Sequence, residues 1–165
     1  MKILFIQTGG TIDKDYPQKL RSYAFVISDP AVRTVLKMIK PSFKFKIKTV
    51  IKKDSLDITE KDRTKIRELC QKSHYKKIII THGTDTMIKT AEALKDITNK
   101  TIIFTGSMKP EKFYDSDARF NIGCAIGAAN IIKKGIFIAM NGRIYNWDNC
   151  KKTKACQFVN KISSC

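Results

Sequence analysis

At 165 residues, with 42% hydrophobic and 28% charged side chains, the chain is long enough for one domain with its own core, and no run reaches the ~18 consecutive apolar residues of a membrane span. Five cysteines without a Cys-x-x-Cys pair, and only two histidines, argue against a disulfide framework and a zinc site, so neither metal nor cofactor is expected. The net charge of +17 comes mostly from lysines spread along the whole chain; arginine is scarce and no binding motif accompanies it, so weak salt-sensitive polyanion attraction is expected and a specific nucleic-acid partner is not. Met1 to Phe5 runs straight into strand-like sequence without the regions of a signal peptide, which points to a cytoplasmic protein.

In chain order, residues 2–7 read as a short buried strand ending in Thr8-Gly9-Gly10-Thr11-Ile12. Residues 8–28 form a long, initially polar segment of the kind that carries function. Asp29-Pro30 is a helix start, with Asp29 as cap and Pro30 in the first turn. Val32, Val35, Leu36 and Ile39 make its apolar face, and Pro41 ends it. Phe43, Phe45, Ile47 and Thr49 alternate with lysines, so 43–51 is a strand with one wet face near a sheet edge. Thr59-Glu60-Lys61-Asp62 opens a helix with Ile66, Leu69 and Cys70 inward.

Residues 77–81 form a second buried strand, which delivers Thr81-His82-Gly83-Thr84-Asp85-Thr86. A helix over 84–96, a strand over 101–105, a loop over 106–116, a helix over 117–133 and a strand over 136–140 follow, and the tail from Asn141 is polar without a strong period. Alternating strands and helices predict a single α/β domain over 1–165, with a parallel sheet covered on both faces.

The two glycine-containing loops carry the chemistry. Parallel strands deliver their carboxyl ends to one edge, so both loops can face one crevice and bring Thr11, Thr84 and Asp85 around a small polar ligand. Hydroxyls, backbone N–H groups and a carboxylate are the parts needed to attack an amide carbonyl. Gly9 and Gly10 permit positive φ and close backbone approach, either to build an anion-binding nest or simply to make a tight turn. Thr84-Asp85 reads equally as a helix cap or as an anion site at a helix start. His82 reads at least as well as a structural hydrogen-bonding residue as it does as a base. A hydroxyl needs a base or a lysine beside it at neutral pH, and composition alone cannot choose among so many lysines.

These residues resemble the L-asparaginase family of threonine-dependent amidohydrolases, including the glutaminase-asparaginases, over that family's N-terminal domain. Thr8-Gly9-Gly10-Thr11-Ile12 is similar to the first family signature, with Thr11 at the nucleophilic threonine. Tyr23 falls where the family has the tyrosine of its active-site loop, Tyr16 being the weaker candidate. Ser55, in Asp54-Ser55-Leu56-Asp57, falls where the substrate carboxylate is held. Ile80 to Met87 resembles the second signature and implies Thr84 and Asp85 as the second threonine and its acidic partner. Phe104 to Pro110 and Asp117 to Asn121 match the next loop and helix, and Met140-Asn141-Gly142 leads at the family's spacing to Lys152, the implied active-site lysine.

The resemblance implies a three-layer α/β/α, flavodoxin-like fold. It also implies two-step hydrolysis of L-asparagine or a similar small amide to aspartate and ammonia. Thr11 or Thr84 attacks, Lys152 assists Thr84, and Asp85 orients Lys152. Gly10, Ser55, Gly83, Thr84 and Asp85 are implied to bind the amino-acid substrate, and N–H groups near Gly10 and Thr84 to form the oxyanion hole. Departures from the family pattern are Asp13-Lys14-Asp15 in place of small residues, apolar Leu56, and no counterpart of the family's C-terminal domain. Two uses of the pocket are therefore open: turnover, or retention of aspartate or asparagine by a weakly active or inactive regulatory module. A homodimer whose chains cover one another's pockets is a further expectation.

Overall fold

The structure is a computed structural model and describes residues 1–17 and 24–161. Its central element is strand β1 (Lys2–Gly9), an almost wholly buried run whose alternating side chains feed two cores. Ile3 and Phe5 face one way and Leu4 and Ile6 the other, so each apolar pair is buried in a different layer. A short pairing of β2 (Lys14–Asp15) with β3 (Val26–Ile27) follows, then helix α1 (Ala31–Ile39) and strand β4 (Lys44–Lys53). Helix α2 (Glu60–Lys72), strand β5 (Lys77–Thr81), helix α3 (Met87–Glu92) and strand β6 (Thr101–Thr105) come next. The chain continues through helix α4 (Ala118–Ile131) and strands β7 (Gly135–Met140), β8 (Arg143–Asn146), β9 (Cys150–Lys152) and β10 (Phe158–Asn160).

The main sheet runs β4-β1-β5-β6-β7-β8. Its first five strands are parallel, and β8 returns antiparallel along β7. Counting the parallel strands alone gives the order 2-1-3-4-5, the flavodoxin-like arrangement, with β1 at the point where the winding reverses. The residues of α1 and α4 pack on one face with Phe5, Ile79 and Ile103; those of α2 and α3 pack on the other with Ile6, Ile80 and Phe104. This is the expected three-layer α/β/α fold. Among the described residues no helix is long and apolar enough to cross a membrane.

Several local expectations are corrected. Helix α1 starts at Ala31, one residue later than expected, with Pro30 at the cap position instead of in the first turn, and Asp29 does not cap it: the Ala31 N–H donates to the carboxylate of Asp13 at 2.8 Å. The helix expected over 84–96 is regular only from Met87 to Glu92, because the Thr84-Asp85 turn belongs to the loop. The polar tail, which shows no strong period, forms two hairpins. Asn141 and Gly142 both have positive φ (51° and 76°) and turn the chain from β7 into β8, as two-residue hairpins require. A second hairpin, β9-β10, then follows. By contrast, α2 begins as expected, with Thr59 and Asp62 exchanging the reciprocal bonds of a capping box.

Candidate active site

The carboxyl ends of β1, β4 and β5 converge beside the reversal of strand order. There the backbones of two loops nearly touch. A side chain on Gly10 would place its first carbon 2.3 Å from both Cα and N of Gly83, and one on Gly83 would lie 2.7 Å from Ser55 Oγ. Gly10 has φ 83° and ψ −176°, a conformation essentially confined to glycine. Gly10, Gly83 and Ser55 thus meet in one place: the Gly83 backbone leaves no room for a side chain on Gly10, and the Ser55 side chain leaves none for one on Gly83. Buried Ser55 is fixed further: its carbonyl accepts from Thr86 Oγ1 at 2.6 Å. Neighbouring Asp54 pairs with Lys14 at 2.8 Å, which holds its carboxyl below the usual carboxylate range.

Lys152 is brought here from 68 residues away. Its Nζ donates to Thr84 Oγ1 at 2.8 Å and to Asp85 Oδ1 at 2.6 Å. The lysine is placed by the β9-β10 hairpin, in which it pairs with buried Phe158. Phe158 is itself tied down, because its N–H donates to Asn141 Oδ1 at 2.9 Å and its carbonyl accepts from Tyr145 Oη at 2.6 Å. Geometry therefore chooses the lysine that composition could not, and Lys151 and Lys154 lie on exposed backbone beside it.

Such a triad can activate a hydroxyl. An ammonium donating to Oγ1 lowers the cost of the alkoxide, and the half-exposed Asp85 carboxylate holds the ammonium in place. Thr84 is 8% exposed, enough shelter for that charge-assisted bond to matter.

Thr11 is half-buried on the single-turn helix Thr11–Asp13 that follows Gly10. Of the N–H groups near Gly10 and Thr84, not all are free to act as oxyanion donors. The Gly10 N–H is already used, donating to Lys53 O at 2.9 Å, while among the described residues the N–H groups of Thr11, Thr84 and Asp85 meet no protein acceptor. Tyr23 lies outside the described residues. Tyr16 is exposed and packs against Phe25, with ring centroids 4.9 Å apart.

His82 is fully buried. Its Nδ1 lies 2.7 Å from Gly83 O and its Nε2 2.9 Å from Thr90 Oγ1. Burial pulls its pKa down to about 4. A neutral ring with both nitrogens engaged is a brace for the 82–86 loop and not a base. Asp117 is a second brace, accepting from the N–H groups of Met108 and Lys109 and from Asn121 Nδ2.

Asp13, a departure from the family pattern in sequence, has a structural place of its own. It is 2% exposed, accepts from Ala31 N at 2.8 Å and from Thr81 Oγ1 at 3.4 Å, and burial pushes its pKa up to about 7. The one sequence signal for it is a charged residue directly after the apolar Ile12 of a glycine loop.

The asparaginase N-terminal family model matches residues 2–161. The chain belongs to the asparaginase family. It is 28% identical over 155 residues to a glutaminase-asparaginase of Acinetobacter glutaminasificans, covering 87% of this chain and 47% of that protein. It is 28% identical over 167 residues to an L-asparaginase of Bacillus licheniformis, covering 93% of this chain and 50% of that protein. The chain thus spans about half the length of the curated relatives it matches. In three dimensions it is similar to the thermostable L-asparaginase of Thermococcus kodakarensis, with a TM-score of 0.83 and 26% identity over 97% of this chain and 51% of that one.

Proposed function

We propose that this asparaginase-family chain hydrolyses the side-chain amide of L-asparagine, or of a similar small amide, to aspartate and ammonia. The observation that carries the reading is the Lys152–Thr84–Asp85 triad at the crevice where the Thr11 loop meets the Thr84 loop. A threonine oxygen adds to the amide carbon, and the tetrahedral intermediate expels ammonia after its nitrogen is protonated. Water then attacks the acyl-threonine, releasing aspartate and restoring the hydroxyl. Unengaged N–H groups of Thr11, Thr84 and Asp85 are suited to bind the oxyanion. One such donor contributes on the order of 3 kcal/mol to the transition state.

Ser55 and Asp85 are suited to hold the α-carboxylate and α-ammonium of the substrate, and the family resemblance gives Tyr23 a role in the same reaction. A cytoplasmic homodimer that takes a small amino-acid substrate and needs no cofactor completes the reading.

Proton NMR of L-asparagine incubated with the protein tests it directly. Growth of aspartate β-methylene signals, absent with Thr11→Val, supports the proposal. No conversion of asparagine, glutamine or related amides by folded protein refutes it.

A further inference from the structure

We propose that Asp13 is a positioning residue that sets the Thr11 turn against the Thr84 loop. The kinetic part of this inference rests on the amide-hydrolysis reading above.

Four bonds carry the argument. The turn bearing Thr11 is closed by the Asp13 N–H donating to Gly10 O at 3.2 Å. The Asp13 carbonyl accepts from Ser28 N at 2.8 Å, which fixes the far end of the 14–28 segment to the same turn. One carboxylate oxygen takes the Ala31 N–H at the start of α1, and the other lies 3.4 Å from the hydroxyl of Thr81, which it shares with Ile6 O at 3.5 Å. Thr81 is the last residue of β5, three positions before Thr84, so a single buried side chain joins the elements that carry the two candidate nucleophiles.

A plain helix cap does not account for this arrangement. Asp29 stands two residues before Ala31 and could cap α1 locally; the cap instead comes from 18 residues upstream. A carboxylate at that distance adds nothing to α1 that a local cap would not, but it does anchor the turn that holds it. Its burial also costs desolvation, which a solvent-exposed cap would avoid. The anion is offset in part by the positive end of α1, a nine-residue helix.

The Asp13 link does not act through Lys152, so its loss should alter the placement of the threonines while leaving the lysine's own hairpin intact.

The test compares Asp13→Ala, Asp13→Asn and Thr81→Val with the parent protein, labelled at threonine methyl groups. Asn keeps an oxygen for the Ala31 N–H and an NH2 that can donate to Thr81 Oγ1, so it is the conservative rescue. Thr81→Val cuts the link from the other side, together with the long contact of the same hydroxyl to Ile6 O, and keeps the fold accessible if Asp13→Ala does not fold.

The expected result is a shift or broadening of both Thr11 and Thr84 methyl signals in Asp13→Ala and, more weakly, in Thr81→Val. The Thr64 signal, on the exposed face of α2, should be unmoved, and Asn should restore the parent positions. Kinetically, kcat should fall about 10- to 100-fold in Asp13→Ala with KM changed less than about threefold, and Asn should recover most of it. Unmoved Thr11 and Thr84 signals in the folded variants overturn the proposal, as does an Asn variant no better than Ala. Absence of ammonia release by the parent protein refutes the hydrolytic reading and leaves the methyl readout to decide this one.

Discussion

Gly10→Ala is the sharpest structural perturbation the site offers. The residue sits at φ 83° and ψ −176°, where a side chain costs roughly 1–3 kcal/mol in backbone strain. The new methyl would also lie 2.3 Å from Cα and N of Gly83, and a backbone cannot step aside as a flexible side chain can. Overpacking of this kind adds about 1–3 kcal/mol, while the lower entropy of the unfolded alanine chain returns about 0.5–1 kcal/mol. The net loss is about 1–5 kcal/mol, centred near 3 kcal/mol, a large fraction of the ~5–15 kcal/mol of a typical domain. For a chain of this size that lowers Tm by roughly 10 °C.

Gly123→Ala is the control. It lies in α4 with nothing within 4 Å of the added carbon, so it should gain about 0.5–1 kcal/mol from helix propensity. Urea denaturation and thermal melting of both variants measure the contrast. A Gly10→Ala protein as stable as the parent would refute the close approach of the two loops, and with it the convergence of Gly10, Gly83 and Ser55.

Other outcomes follow from the same geometry. Lys152→Met should lower kcat by about 10²–10³-fold or more, because the donor to Thr84 Oγ1 is lost, yet change stability by under about 1 kcal/mol, since the Lys152–Asp85 pair is partly exposed. Steady-state kinetics beside a urea titration separates the two effects. Asp13→Asn should change the pH dependence of stability. The Asp13 pKa is raised on folding from 3.8 to about 7, so its stabilising effect is fully present below pH 3.8 and is lost as pH rises to about 7. His82 acts in the opposite sense: with its pKa lowered from 6.5 to about 4, its contribution is present above pH 6.5 and is lost as pH falls toward 4. The two slopes oppose each other in the parent, and Asp13→Asn should uncover a stability that rises from pH 4 to 6.5, read by urea midpoints across that range. Parallel midpoints in parent and variant would contradict the assignment.

The sheet and its two loops were legible because their signals are local and physical. Apolar runs mark β1, β5 and β6, and a Thr-x-x-Asp box marks α2. The site was legible as a set of residue types, with Thr11, Thr84 and Asp85 readable from the loops and Lys152 from the family spacing alone. Long-range geometry was less accessible. Asp13 looks like a solvated loop charge until α1 and β5 are placed around it. The packing need for Gly83 is hidden until Ser55 and Gly10 are found against it. The tail is a different case, since Asn141-Gly142 between apolar Met140 and Ile144 is a strong hairpin signal. The strands beyond it are only three and four residues long, too short for periodicity to register.

A coupled ammonia assay on purified protein with L-asparagine, run beside Thr84→Ala and Lys152→Ala, tests the central claim most directly. The account predicts release by the parent protein and its loss in both variants, each verified as folded. Equal background in all three would contradict it and leave amino-acid binding without turnover as the function of the crevice.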